Sequence, residues 1–193
     1  MQKLTPADLY TLETYSRDRA AFRERVLAHK RLRTVHLGAH ITLLFEDRLT
    51  IQYQVQEMLR IERIFETAGI TEELDAYNPL IPDGTNLKAT MLIEFADADE
   101  RAKRLIEMHG VENKIAIGGD GLEFVFAIAD EDLDRSTDEK TSAVHFMRFE
   151  LPASHIAAFR RDGKIAVLVD HDAYRGETVL SSATVKALAA DFA

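Results

Sequence analysis

Cysteine is absent from the 193-residue chain. That excludes a disulfide, a thiol nucleophile, a cysteine-held iron-sulfur cluster and a cysteine-type zinc site, so any metal would need His, carboxylate or amide ligands. Long apolar runs are missing too. The longest, such as residues 124–129 and 165–169, suit buried strands and fall far short of the roughly 20 residues of a membrane helix. Residues 1–19 carry Lys3, Asp8, Glu13, Arg17 and Asp18 and lack the apolar centre of a secretory signal. The expectation is a cytoplasmic protein that does not span a membrane. No phosphate-loop signature occurs, no helix follows the Gly-Gly-Asp-Gly run at 118–121 as a nucleotide fingerprint requires, and no Gly-x-Ser-x-Gly is found. A nucleotide-dependent enzyme and a serine hydrolase are both disfavoured.

What remains is an acidic chain with enough apolar material to enclose a core. It carries 24 Lys plus Arg against 33 Asp plus Glu, a net charge of −9, and 46% hydrophobic residues. The charge is uneven: eight basic and four acidic residues through Arg33 give a local +4, leaving −13 for the rest. A basic arm can dock nucleic acid through counterion release. This one is short, has no interleaved aromatics and belongs to an acidic chain, so a solvated helix face, or docking on acidic surface of this chain or a second copy, is the simpler reading.

Thr5-Pro6-Ala7-Asp8 reads as a helix start, and Leu9, Leu12, Tyr15, Phe22 and Val26 extend the helix to about His29. Residues 34–37, stopped by Gly38, and residues 41–45 read as strands of a hairpin. From 48 to 66 helix formers dominate, although 49–55 alternates at period two and could instead prolong the strand. Gly69 is placed as the cap of that helix, and a further short helix runs from Thr71 to before Asn78-Pro79. Downstream, strand 91–95, helix 97–109 and strand 114–117 form one unit, and strand 146–151, helix 152–161 and strand 164–169 form another. Both second strands begin Lys-Ile-Ala, so an internal duplication of ferredoxin-like units competes with chance similarity. Residues 130–141 read as an acidic loop and 181–192 as a closing helix. The fold expected is α+β in a single domain, residues 1–193: a helical and hairpin region over 1–87, packed on a mainly antiparallel sheet with helices on one face over 88–193.

Chemistry concentrates in a few places. Glu57, Glu62 and Glu66 with Arg60 and Arg63 form the densest charged stretch on a helix. Mutual charge pairing is the simpler account, and no Glu-x-x-His of a di-iron site is present. Glu62 shares the face of Val55, Met58, Leu59 and Phe65, so it is expected to point at the core, where a desolvated carboxylate needs a partner or gains a raised pKa. Glu57 and Glu62 are therefore the candidate catalytic acids or bases, with Arg60 and Arg63 as ligand-binding cations. Asp83, Asn86 and Lys88 lie in and just after a stiff loop ahead of a core strand, where scaffolds present ligand groups, although turn chemistry also explains the first two. His36 and His40 have the i, i+4 spacing of zinc ligands, but Gly38 and the β-branched neighbours oppose a helix there. Asp170-His171-Asp172 reads as an exposed acidic turn.

The segment LFEDRLTIQYQVQEMLRIERIFE with ELDAYNPLIPDGTNLKATMLIEF, residues 44–66 and 73–95, resembles a bacterial family of uncharacterised proteins of similar length, and the resemblance extends from Leu4–Leu9 through most of the chain. Members are often encoded beside rubrerythrin-like proteins and iron-sulfur oxidoreductase subunits, which implies a link to peroxide or iron metabolism and no known catalytic residues. The leading reading is an accessory protein that binds a metal, a small anion or a redox protein partner and has no organic cofactor of its own. Its working surface would join Glu57, Arg60, Glu62 and Arg63 to Asp83, Asn86 and Lys88. An enzyme acting on an anionic substrate and a structural homo-oligomer are the alternatives.

Overall fold

In a computed structural model that describes residues 2–119, 121–137 and 139–192, the expected helix start at Thr5 gives only one 3₁₀ turn, Pro6–Asp8. Leu9 returns to an extended conformation, and the Gln52 and Gln56 side chains hold the backbone at Asp8 and Tyr10. The chain re-enters a helix, α1 (Leu12–Arg31), at Thr11, whose hydroxyl accepts from the Thr14 amide. The single N-terminal helix is thus two elements. The hairpin β1 (Thr34–Leu37) and β2 (Ile41–Glu46) forms as expected.

Asp47 decides the ambiguous stretch that follows. Its carboxylate accepts from the Leu49 and Thr50 amides while its own amide donates to the Thr50 hydroxyl, a reciprocal cap that makes residues 49–55 helical. α2 (Arg48–Glu62) ends where Arg63 turns left-handed, with φ of 57°. α3 (Thr67–Tyr77) begins earlier than expected and contains Gly69, which is no cap. Ile51, Val55 and Leu59 pack with Leu4, Leu74 and Ile81, while Tyr15, Phe22 and Val26 pack with Leu49 and Tyr53. Each such large buried side chain contributes about 1.5–3 kcal/mol.

The remaining elements are β3 (Asn86–Ile93), α4 (Ala98–Glu107), β4 (Ile115–Gly119), β5 (Leu122–Phe126), β6 (Ile128–Ala129), β7 (Val144–Glu150), α5 (Ala153–Arg160), β8 (Ile165–His171), β9 (Tyr174–Val179) and α6 (Ser182–Ala189). They form two antiparallel sheets, β1-β2-β3-β7-β6 and β5-β4-β8-β9. Leu43, Leu87, Met91 and Phe149 of the first join Ile115, Ile117, Ile165 and Val167 of the second in one apolar core. At one border the Tyr174 hydroxyl donates to the Leu37 carbonyl at 2.6 Å and accepts from the His40 amide at 3.0 Å, and Thr178 donates to the His36 carbonyl at 2.6 Å. At the other, the chain runs from β5 into β6 through Ala127, whose amide donates to Ile115.

The fold is α+β, but the ferredoxin-like arrangement is corrected. In that arrangement both strands of a unit share a sheet, whereas β3–α4–β4 and β7–α5–β8 each carry the chain from the first sheet to the second. The two units nevertheless follow one plan. Each ends in a hairpin, with β5 or β9, and they pair antiparallel to each other in both sheets. The division expected at residue 87 falls inside β3, and β1 and β2 are part of the first sheet. Among the described residues no helix is long and apolar enough to cross a membrane.

Candidate functional site

Side chains alternate along β2, β3 and β7, so the residues between the core positions face away from the core. Leu44, Glu46, Lys88, Thr90, Phe146 and Arg148 occupy that outer face of the first sheet. Lys30 of α1, Ile51 and Gln54 of α2, Tyr77 of α3 and the Asn78–Leu80 turn lie over it. Two cavities separate the layers, of about 190 Å³ and 280 Å³. Leu80 and Phe146 wall both, so they adjoin as an inner and an outer chamber of one cleft. Glu46, Thr90 and Lys30 line the inner chamber; Lys88, Arg148, Glu131 and Asp132 line the outer.

The charges of the cleft are incompletely matched. Glu46 is 7% exposed and accepts from the Thr90 hydroxyl at 2.8 Å and the Thr50 hydroxyl at 2.6 Å. Lys88 stands directly across from it in the β2–β3 register, yet the Lys88 ammonium donates to the Pro79 carbonyl. Arg148, across from Lys88 on β7, is clasped by both Glu131 oxygens at 2.7 and 2.8 Å and by Glu150 at 2.7 Å, which raises its pKa further. Lys30 lies 5.8 Å from the centre of the Tyr53 ring. Among the described residues, no ion pair involves Glu46, Lys30 or Lys88.

The residues singled out from sequence fall into separate places. Glu57 accepts from Arg19 at 2.7 and 2.8 Å, from the Tyr15 hydroxyl at 2.6 Å and from Arg60 at 3.3 Å. The Arg19 guanidinium, outweighing partial burial and helped by Tyr15 and Arg60, holds its carboxyl down at about 2. Glu57 thus fastens α2 to α1, and Arg60 supports it from its own helix. Glu62 does not point at the core. It is the last residue of α2 and is exposed, as are Arg63 and Phe65, which lie beyond the end of the helix. Asn86 donates to Asp83 at 2.8 Å and to Glu150 at 3.2 Å, bracing the loop beside the outer chamber. Lys88 lines that chamber itself. Among the described residues no hydrogen bond or ion pair joins the Glu57 group to the Asp83 group.

His36 and His40 flank the β1–β2 turn. His36 Nδ1 meets the Thr42 hydroxyl at 3.0 Å, and that hydroxyl donates to Glu94 at 2.6 Å. His40 Nδ1 meets the Glu94 carbonyl at 2.9 Å, and its ring stacks on Phe95 with centroids 4.0 Å apart. Both Nδ1 atoms are thus engaged within the protein. Among the described residues no three His, Asp or Glu side chains are grouped as a metal ion requires.

Two buried groups escaped the sequence reading. Glu46 lies two residues beyond Leu44 on β2, and its outward position was legible in the period-two pattern. His145, fully buried on β7, meets Asp130 at 2.5 Å and the Thr141 hydroxyl at 2.8 Å; Thr141 in turn donates to Glu112 at 2.8 Å. Burial pushes the Glu112 carboxyl up, but a backbone amide, the Thr141 and Ser136 hydroxyls and His145 together hold it below its usual range. This chain of bonds anchors both ends of the segment that carries Glu131 and Asp132 to the mouth of the cleft.

No curated protein matches the chain. A crystal structure of a novel protein of unknown function from Burkholderia pseudomallei K96243 is similar to it, with 44% sequence identity over 100% of both chains and a TM-score of 0.95. The family model described as "Protein of unknown function (DUF3501)" matches residues 3–192. With the same fold kept across the whole length of that solved protein and the family pattern spanning nearly every residue, the chain belongs to the DUF3501 family.

Proposed function

We propose that the protein binds a small organic anion with an apolar body in the cleft over the outer face of the first sheet. The observation that carries this reading is the composition of the cleft: apolar walls from Leu44, Ile51, Leu80 and Phe146, and two lysines that make no ion pair among the described residues. The charged lining balances overall, Lys30, Lys88 and Arg148 against Glu46, Glu131 and Asp132, so the placement of Lys88 rather than net charge favours an anion. Lys88 is the anchor at the outer chamber: its charge is felt by Asp83 and Glu131, but among the described residues its ammonium donates to a neutral carbonyl that a ligand can replace. The apolar walls supply the rest, at about 25 cal/mol per Å² of apolar surface removed from water. Any link to peroxide or iron metabolism would enter through the identity of that ligand or of a protein partner.

The test is a calorimetric and thermal-unfolding screen of the full chain against aliphatic and aromatic carboxylates and phosphates. Lys88→Glu should weaken the best binder at least tenfold, and Arg60→Glu, on the α1–α2 seam, should leave its affinity unchanged. Equal loss in both variants, or in neither, would sink the assignment to the cleft.

A further inference from the structure

The buried carboxylate of Glu46 extends the anion reading, on which the following inference rests. A carboxylate offers about four acceptor sites. The Thr50 and Thr90 hydroxyls fill one on each oxygen. A carboxylate buried without a paired countercharge is costly: Gln54 of α2, Tyr77 of α3 and Phe146 of β7 are neutral, Lys30 of α1 lines the same chamber without an ion pair to it, and Arg33 donates to the Glu46 backbone carbonyl and not to its carboxylate. The other cation, Lys88, is its direct cross-strand neighbour on the same face. Opposite charges in that position attract and ordinarily pair. Here the two are parted, one turned to hydroxyls and the other to a backbone carbonyl, with a cavity beside each.

We infer that the ligand is a zwitterion, an α-amino acid with an apolar side chain, whose ammonium is taken by Glu46 and whose carboxylate is taken by Lys88. The spacing favours charges close together on the ligand, because side chains directly opposite in antiparallel strands leave their sheet only about 4.5–5.5 Å apart. An ammonium carries three donors and can occupy the free sites on Glu46 while Thr50 and Thr90 keep theirs. The apolar side chain then rests against Leu44, Ile51 and Phe146 in the inner chamber, whose volume of about 190 Å³ suits a branched or aromatic group.

The probes are L-leucine, L-phenylalanine, 3-phenylpropionate, which lacks the ammonium, and phenethylamine, which lacks the carboxylate, each titrated calorimetrically into the full chain. At least one amino acid should bind at least tenfold more tightly than either single-charge analogue. Glu46→Gln, nearly the same shape, should erase the advantage of L-phenylalanine over 3-phenylpropionate, and Lys88→Met should erase its advantage over phenethylamine. Both variants are first checked for wild-type unfolding temperature, and Thr90→Val, which leaves the charge but removes a donor, serves if Glu46→Gln does not fold. Equal binding of L-phenylalanine and 3-phenylpropionate, or no binding by either amino acid while other anions bind, overturns the zwitterion and leaves the anion reading standing. No anion binding at all overturns both.

Discussion

Glu57 and Glu46 are both carboxylates shielded from water on the helical side of the molecule, and their surroundings differ in kind. On the α1–α2 seam, Glu57 meets two guanidinium groups and a phenol, and its charge is fully answered. On the outer face of the first sheet, Glu46 meets only hydroxyls and faces a cavity. A dense cluster of opposite charges marks a fastening. A buried charge whose partner is missing marks a place where something else fits.

Four experiments break or sharpen that contrast. The largest effect is expected from Glu57→Ala, which strips the acceptor from Arg19 and Tyr15. Charge-assisted hydrogen bonds contribute about 1.5–3 kcal/mol each, so urea unfolding should show a loss of about 2 kcal/mol or more. Acid titration comes next. A carboxyl held at about 2 in the folded chain and near its ordinary 4.5 when unfolded stabilises the fold above the higher value, and that stabilisation is lost as pH falls from 4.5 towards 2. Glu57→Gln should flatten this part of the profile, and an unchanged slope would refute the seam's role. Glu46→Gln is expected to alter stability by under about 1 kcal/mol, since an amide oxygen still accepts from one of the two threonines, while abolishing the preference for an ammonium-bearing ligand. A stability loss as large as that of Glu57→Ala would make Glu46 a second fastening. The smallest change belongs to exposed Glu62, where alanine should stay within about 0.5 kcal/mol by the same unfolding assay.

The sequence disclosed elements better than their partners. Gly38 between β-branched runs announced the β1–β2 hairpin, and the breaks at Gly110 and Gly163 announced the ends of the helical segments after β3 and β7. The sheet to which each strand belongs depends on non-local pairing, so the two strand-helix-strand units were read correctly in order and wrongly in arrangement. Strand β9 was missed because its outward residues Arg175, Glu177 and Val179 do not resemble a buried strand. The misplacement of Glu62 has a single cause: α2 stops at a left-handed Arg63, where no glycine marks the end. Extending the helical period past that point put Phe65 on the core face, while Glu62, the last residue of α2, is left exposed at its end. Lys88, Asp83 and Asn86 were found as polar residues ahead of a core strand, and one of the three lines the cleft. Glu46 was passed over because the strand was ended at residue 45, and only the helices laid across the sheet turn it into a buried group.

The hydroxyls of Tyr174 and Thr178 have a consequence for how the molecule keeps to itself. β1 is the outermost strand of its sheet, and such a strand offers free carbonyls on which another chain can grow. One of those carbonyls, at His36, is already consumed by Thr178 of β9, and the Leu37 carbonyl beside the turn takes the Tyr174 hydroxyl. A side chain at Gly38 would be strained at its φ of +65° and would displace Tyr174, since a Cβ there would sit 2.6 Å from the Tyr174 hydroxyl. A methyl group there would push the Tyr174 ring off its two bonds while leaving Thr178 on His36, so part of the protection against aggregation at this edge depends on one hydrogen atom.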